Sequence, residues 1–253
     1  MGFWGVVNNS IKNSDIILLI MDARVPHESM NSEVLKKAEK LKKEVVCVFN
    51  KSDLISKAEV KRLNEQYPNS FFVSAKMASS TKKIRKYLDA QAQGREKSLR
   101  VSLIGYPNVG KSSIFNRLVP EAKAKVSSIS GSTKKTEWIR SKDIRFMDTP
   151  GVIPMGDSAV KVGITASKDP HKIQDPDKVA MNIIRKVRKK DESILEKFYG
   201  IGIGICTGKE DYEVFEMIGE AKKFLVKKGE IDEHRTAIKI IEDWQKGKLG
   251  LKK

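Results

Sequence analysis

The sequence predicts an α/β protein, a mainly parallel sheet with helices on both faces, followed by a smaller all-helical domain. Three observations predict it. Between Asp15 and Gly151, short apolar runs alternate with amphipathic stretches, the pattern of strands joined by crossover helices. A glycine-rich turn, GYPNVGKS at 105–112, lies between one such run and a helix-like segment. After Gly151 the strand-like runs fade and apolar residues recur at helical spacing. The expected boundaries are 1–155 for the α/β domain and 156–253 for the helical one.

The first strand is IILLIM at 16–21, bracketed by Asp15 and Asp22 and far shorter than a membrane span. A helix is expected over 31–43, then the strand VVCVF at 45–49, in which Cys47 reads as a small buried hydrophobe. A second helix is expected over 56–66, opened by Ser56 and Glu59 at capping-box spacing. The strands FFV at 71–73, VSLIG at 101–105 and IRFMD at 144–148 complete the sheet. In the later part, Ala180, Ile183, Ile184 and Val187 share one helical face, and Ala237, Ile240, Ile241 and Trp244 another. Asp175 and Pro176 mark a helix start and Gly247 a stop. IGIGIC at 201–206 is the one strand-like run there.

The net charge of +17 and a pI near 9.7 point to a polyanionic partner. The excess is uneven. Residues 1–154 carry 28 Lys/Arg against 15 Asp/Glu, a net +13, whereas 155–253 carry 21 against 17, a net +4. Two cysteines in 253 residues argue against a disulfide scaffold and fit a reducing compartment. Val6 stands where a myristoylation signal needs Ser or Thr, and the closing GLKK has no prenylation cysteine. A cytoplasmic monomer without membrane attachment or disulfide partner is expected.

GYPNVGKS matches G-x-x-x-x-G-K-[ST] in full, with a strand before it and a helix after. Gly105 and Gly110 let the backbone fold so that the N–H groups of Asn108, Val109, Gly110, Lys111, Ser112 and Ser113 face a phosphate. Lys111 reaches the β- and γ-phosphates, and the Ser112 hydroxyl ligates Mg²⁺. DTPG at 148–151 follows a second strand. Its Asp148 is placed to hold the Mg²⁺ through water, and the Gly151 amide to touch the γ-phosphate.

NKSD at 50–53 ends the strand VVCVF, where an α/β sheet presents ligand loops. The Asp53 carboxylate can accept from guanine N1–H and the 2-amino group. Adenine has neither donor, so such a site discriminates by roughly 10⁴–10⁵-fold. Asn50 and the stem of Lys51 brace the loop and the base. SAK at 74–76 follows at the spacing a guanine site wants, and the backbone N–H groups of Ser74, Ala75 and Lys76 can meet guanine O6.

These elements resemble those of TRAFAC-type GTPases, but in another order. A G domain normally runs P-loop, switch I, DTPG, base reader, SAK; here the base reader and SAK come first. The chain reads as a circularly permuted P-loop G domain, which asks only that the old termini lie close enough to join. The stretch LDAQAQGREKSLR at 88–100 is the expected splice, a helix running through Gly94 into the P-loop strand.

With DARVP at 22–26 and a helical tail ending DWQKGKLG, the arrangement resembles the circularly permuted YlqF-type GTPases of large ribosomal subunit assembly over nearly the whole chain. The resemblance implies GTP and GDP as ligands, Mg²⁺ held by Ser112, Asp148 and a switch I threonine, and a cytoplasmic assembly factor. Its partner would be the large ribosomal subunit or its precursor, through rRNA and ribosomal proteins. It places that threonine at Thr133, two residues after Gly131, with Thr136 as the alternative. Asn108 matches the asparagine that helps hold K⁺ in related potassium-dependent GTPases. The segment after DTPG leads into the helical domain, so loss of the γ-phosphate can bias that domain directly.

Two departures bear on mechanism. Val152 stands where many GTPases carry a water-orienting Gln, so hydrolysis should be slow without an activator. The N-terminal MGFWGVVNNSIKN lacks the histidine that the bacterial members carry there, and His27 reads as a loop residue, so no side-chain general base is identified. The catalytic set is Lys111, Thr133, Asp148 and Gly151. The basic runs KKIRK at 82–86 and RKVRKK at 185–190 are candidate phosphate-backbone contacts or solvated helix faces. The alternatives are a GTPase acting on another RNA or the small subunit, and a scaffold that binds GTP without turnover.

Overall fold

A computed structural model of the chain describes residues 3–121, 137–227 and 229–252. They form two compact units. The first comprises the chain up to Asp53 together with Lys57–Gly156; the second comprises Leu54–Ser56 and the chain from Asp157 onward.

The first unit is built on a sheet of six strands: β1 (Ile16–Asp22), β2 (Glu44–Asn50), β3 (Phe71–Phe72), β4 (Leu99–Gly105), β5 (Ile139–Ser141) and β6 (Ile144–Asp148). Their spatial order is β3-β2-β1-β4-β6-β5. The first five in that order run parallel; only β5 is antiparallel, to β6. Central β1 is buried at every residue, as a strand covered on both faces must be. Helices α1 (Phe3–Asn13) and α3 (Ser32–Lys40), the latter preceded by the one-turn α2 (Pro26–Ser29), bury Val7, Ile11, Val34 and Ala38. Helix α4 (Lys57–Gln66) buries Leu63. Helices α5 (Lys82–Ala92) and α6 (Lys111–Leu118) bury Ile84, Leu88, Ile114, Phe115 and Leu118 in one cluster with Leu18, Val48, Leu103 and Phe146 of the strands.

In this unit most elements lie where the periodicity puts them, with four differences. β5 was not expected: IRS is three residues long and carries no alternation to read. The splice helix stops at Ala92, two residues short of Gly94, which sits at φ +76° and reverses the chain. His27 lies in the one-turn helix α2 rather than a loop. Cys47 is half-buried rather than buried, on a strand whose first half is partly exposed.

The second unit is helical: α7 (Ala159–Ile164), α8 (Pro176–Asp191), α9 (Ser193–Tyr199), α10 (Asp211–Ala221) and α11 (Glu233–Gln245). Helix α8 packs against the other four. Ala180, Ile183, Ile184 and Val187 are fully buried, as are Ala237, Ile240, Ile241 and Trp244, whose indole N–H donates to the Ile164 carbonyl at 2.9 Å. Asp175 stands at the N-cap position of α8 without a side-chain capping bond, Pro176 opens the helix, and Gly247 ends α11 in the left-handed region. IGIGIC forms no strand. Gly200, Gly202 and Gly204 sit at φ +74°, +92° and +79°, and the loop closes on the buried Glu196 carboxylate, which accepts from Cys206 N at 3.0 Å. Backbone N–H groups from Cys206 and Gly204 hold that carboxyl below its usual range. Leu54–Ser56 belongs to this unit because Leu251 N donates to Leu54 O at 2.7 Å and Leu251 bridges Ile55.

Among the described residues, no helix is long and apolar enough to cross a membrane.

Candidate nucleotide site

Five parallel strands must present their carboxyl ends along one edge of the sheet, and each of these five ends in a motif. DARVP leaves β1, NKSD leaves β2, SAK follows β3, the P-loop leaves β4 and DTPG leaves β6. Strand direction therefore gathers segments that the sequence scatters over a hundred residues.

Asn50 ties the base loop to the phosphate loop. It is 2 % exposed, its Nδ2 donates to the Val109 carbonyl at 2.8 Å, and its Oδ1 accepts from Ala75 N at 3.0 Å. One side chain thus spans three motifs. Gly110 lies against it: φ is +98°, and a Cβ there would come within 2.2 Å of Asn50 Nδ2. Arg117 of α6 adds a second tie, donating to Ala75 O at 3.0 Å and Lys76 O at 3.2 Å. Lys76 pairs loosely with Asp53 at 3.6 Å, which leaves the Asp53 carboxylate partly exposed at the loop.

In the P-loop, Gly110 caps α6 and Lys111 opens it, so the helix dipole and the free first-turn N–H groups face the loop. Asn108 also takes a left-handed φ of +58°. Ser113 sits half-buried one residue behind Ser112. Lys111 is buried and its Nζ donates to Tyr106 O at 2.6 Å; burial pushes its pKa down to about 8, with the Asp148 charge pulling the other way.

Ser112, in the first turn of α6, meets Asp148 at the end of β6. Ser112 Oγ donates to Asp148 Oδ2 at 2.6 Å, while Asp148 Oδ1 is buried with no hydrogen-bond partner among the described residues. Burial raises the Asp148 carboxyl; the Ser112 hydrogen bond and the Lys111 charge oppose this. A hydroxyl beside an orphaned carboxylate oxygen at a P-loop suits a hard, oxygen-loving divalent cation such as Mg²⁺. The lone oxygen is what a buried site would otherwise avoid. Gly151 is pressed on the P-loop: a Cβ would come within 2.6 Å of the Pro107 backbone.

The segment after DTPG is held within the same unit. Val152 N donates to Gly105 O at 3.2 Å, and its carbonyl accepts from buried Asn31 Nδ2 at 3.2 Å. The Trp4 indole donates to Ile153 O at 3.2 Å, and Met155 N donates to Glu33 at 2.8 Å. Sequence reading missed Trp4, Asn31 and Glu33, since only the fold brings them to this segment. Val152 itself is buried. Thr133 and Thr136, with Gly131, lie outside the described residues.

The basic runs are partly structural. Arg85 donates to Asp89, Leu118 O and Ser141, and Arg188 to Asp211 at 2.7 Å, Cys206 O and Lys209 O. Arg185 also pairs with Asp211. Lys82, Lys83, Lys86 and Lys189 remain exposed.

Two family models match the chain. That described as "50S ribosome-binding GTPase" matches residues 100–205, and that described as "Elongation factor Tu GTP binding domain" matches residues 1–94. The base-reading segment thus precedes the phosphate-binding one, as a permuted G domain requires. An uncharacterized GTP-binding protein of Methanocaldococcus jannaschii is 37 % identical over 247 residues, 96 % of this chain and 65 % of that protein. Nucleolar GTP-binding protein 2 of Saccharomyces cerevisiae is 29 % identical over 261 residues, 97 % of this chain and 52 % of that one. The chain therefore spans about half to two thirds of the length of these relatives. GNP-bound YlqF from T. maritima shares the fold, with a TM-score of 0.64 at 20 % identity, over 98 % of this chain and 95 % of that one. The GDP-bound structure of YlqF gives 0.62, also at 20 % identity, over 97 % and 96 %.

Proposed function

We propose that this chain, a circularly permuted G-domain protein with the YlqF fold, binds and hydrolyses GTP and acts as a switch in assembly of the large ribosomal subunit. The observation that carries the reading is Asn50, whose amide bonds both the P-loop carbonyl of Val109 and the SAK amide of Ala75. Strand order brings these motifs to one edge, and the Asn50 bonds fix their spacing to one another, as a single ligand spanning base and phosphates needs.

In this reading Asp53 accepts from guanine N1–H and the 2-amino group, and the amides of Ser74, Ala75 and Lys76 face O6. The amides of 108–113 and the Lys111 ammonium hold the phosphates. Ser112, Asp148 and Thr133 hold Mg²⁺, which when bound neutralises charge on the β- and γ-phosphate oxygens. Gly151 N–H reports the γ-phosphate. Val152, apolar and buried, cannot take the part of the water-orienting Gln. Turnover is therefore slow alone and rises when the ribosome completes the site, with K⁺ at Asn108 supplying charge. Release of the Gly151 loop after hydrolysis changes the segment that leads to the helical unit.

The partner follows from charge and from names. The basic excess favours a polyanion, relatives are named nucleolar GTP-binding proteins, and one matching model is described as ribosome-binding. The test is steady-state GTP hydrolysis in potassium buffer with large or small ribosomal subunits added, repeated in sodium. Stimulation by large subunits alone, lost in sodium, is the expected result. Stimulation by small subunits instead, or tight GTP binding with no turnover under any condition, would overturn it in favour of another RNA target or a static scaffold.

A further inference from the structure

The DARVP motif ends β1 between the strands of the base loop and the P-loop, and none of the roles above uses it. Its Asp22 is wholly buried and paired in register with Asn50. The carboxylate is saturated. Oδ1 accepts from Arg24 N at 3.0 Å and Arg24 Nε at 3.1 Å, while Oδ2 accepts from Arg24 Nη2 at 2.8 Å and from Lys51 Nζ at 2.8 Å. Arg24 is buried as well. Burial alone would raise the Asp22 carboxyl, but Arg24 and Lys51 hold it well below the usual carboxylate range.

Lys51 is the lysine of NKSD. Its backbone is left-handed at φ +60°, uncommon for a residue with a side chain, and its ammonium points inward to Asp22 rather than to water. The next strand connection supports the same loop, since Ala23 N donates to Asn50 O at 2.9 Å. A lysine on a surface loop normally keeps its charged head solvated. Here the head is tethered below and the methylene stem is what the loop displays.

We propose that Asp22 is a positioning residue of the base loop: clamped by Arg24, its carboxylate anchors the Lys51 ammonium and so fixes the stem of Lys51 as the wall on which the guanine base lies. This rests on the guanine-binding reading. Asp22 then sets how long the nucleotide stays, while Asp53 sets which base is accepted.

Asp22→Asn removes the carboxylate charge that faces buried Arg24 and endangers the fold, so the first variant is Lys51→Met. It keeps an apolar stem of similar length and removes only the anchored charge. Release of a fluorescent GDP analogue is measured by stopped flow, alongside affinities for GDP, IDP and ADP. The wild type must first prefer GDP over ADP; if it does not, the guanine reading itself fails. Given that preference, Lys51→Met releases GDP about tenfold faster or more, the scale of one charge-assisted hydrogen bond lost. The GDP-to-IDP ratio stays within about twofold of wild type, since the Asp53 bonds are untouched. Adding Asp22→Asn to Lys51→Met changes release no further, because the Asp22–Lys51 contact through which the proposal acts is already cut. Wild-type release from Lys51→Met, or a further large loss in the folded double variant, overturns the proposal. If the double variant does not fold, the Lys51→Met result alone decides.

Discussion

Asn50 in the first unit and Ile183 in the second are both buried, at 2 % and 0 % exposure, yet they hold different things together. Asn50 joins two loops through single hydrogen bonds, each with one donor and one acceptor. Ile183 sits in a stripe with Ala180, Ile184 and Val187 and contributes apolar area, which is non-directional. At the sheet edge geometry is specified atom by atom. In the helical unit it is specified by the stripe as a whole.

The sharpest way to break this contrast is to disturb one site of each kind. Gly110→Ala places a methyl group 2.2 Å from Asn50 Nδ2 at a backbone angle that disfavours it. GDP affinity should fall by at least about 100-fold, the equivalent of two charged hydrogen bonds, as measured by calorimetry. Ile183→Ala should instead lower unfolding free energy by about 2–5 kcal/mol in a denaturant titration, leaving GDP affinity near wild type. Equal losses of affinity in both would erase the distinction.

A smaller test separates structural from exposed basic residues in one helix. Arg188 makes four partners within the second unit, whereas its neighbour Lys189 is exposed. Arg188→Ala should cost about 1–3 kcal/mol of stability by leaving Asp211 with Arg185 alone and removing the donor to the Cys206 and Lys209 carbonyls. Lys189→Ala should stay within about 0.5 kcal/mol and weaken rRNA binding, with a shallower salt slope. A destabilised Lys189→Ala with rRNA binding intact would contradict that division.

The same contrast explains what could be read from the chain. Strands and stripes were legible because burial on both faces makes 16–21 a continuous apolar run, and burial on one face imposes a period of 3.6 on 180–187. The motifs were legible because phosphate and guanine chemistry demand fixed residue types at fixed spacing. What stayed hidden depends on neighbours distant in sequence. Trp4 and Asn31 meet Ile153 and Val152 across more than a hundred residues; the local signal of Asn31 is that of a helix cap and says nothing of this second bond. Arg85 and Arg188 read as members of basic runs, and only their partners show them turned inward. IGIGIC has the alternation of a strand, but the residues alternating with isoleucine are glycines, whose positive φ breaks one. DARVP showed its place at a strand end but not its target, since the Asp22–Lys51 contact exists only because β1 and β2 are adjacent.

The smallest expected effect tests the phosphate end of the site. Lys111 has a pKa near 8 because burial disfavours its charge. Below that value the folded protein carries a buried ammonium, which costs stability; the cost is relieved as pH rises from about 8 towards the ordinary lysine value, where the unfolded chain still holds the proton. A bound nucleotide reverses the preference, since its phosphates favour the ammonium. Binding must then take up a proton wherever free Lys111 has lost one, so the uptake is small below a pKa of about 8 and grows above it. GDP affinity should fall about threefold over the unit of pH centred on that value. Calorimetry in two buffers of different ionisation enthalpy reads the uptake directly, in a range where the GDP phosphates are already ionised. No uptake at pH 8.5 would mean that Lys111 keeps its proton in the free protein, and that the Tyr106 carbonyl and the Asp148 charge outweigh its burial.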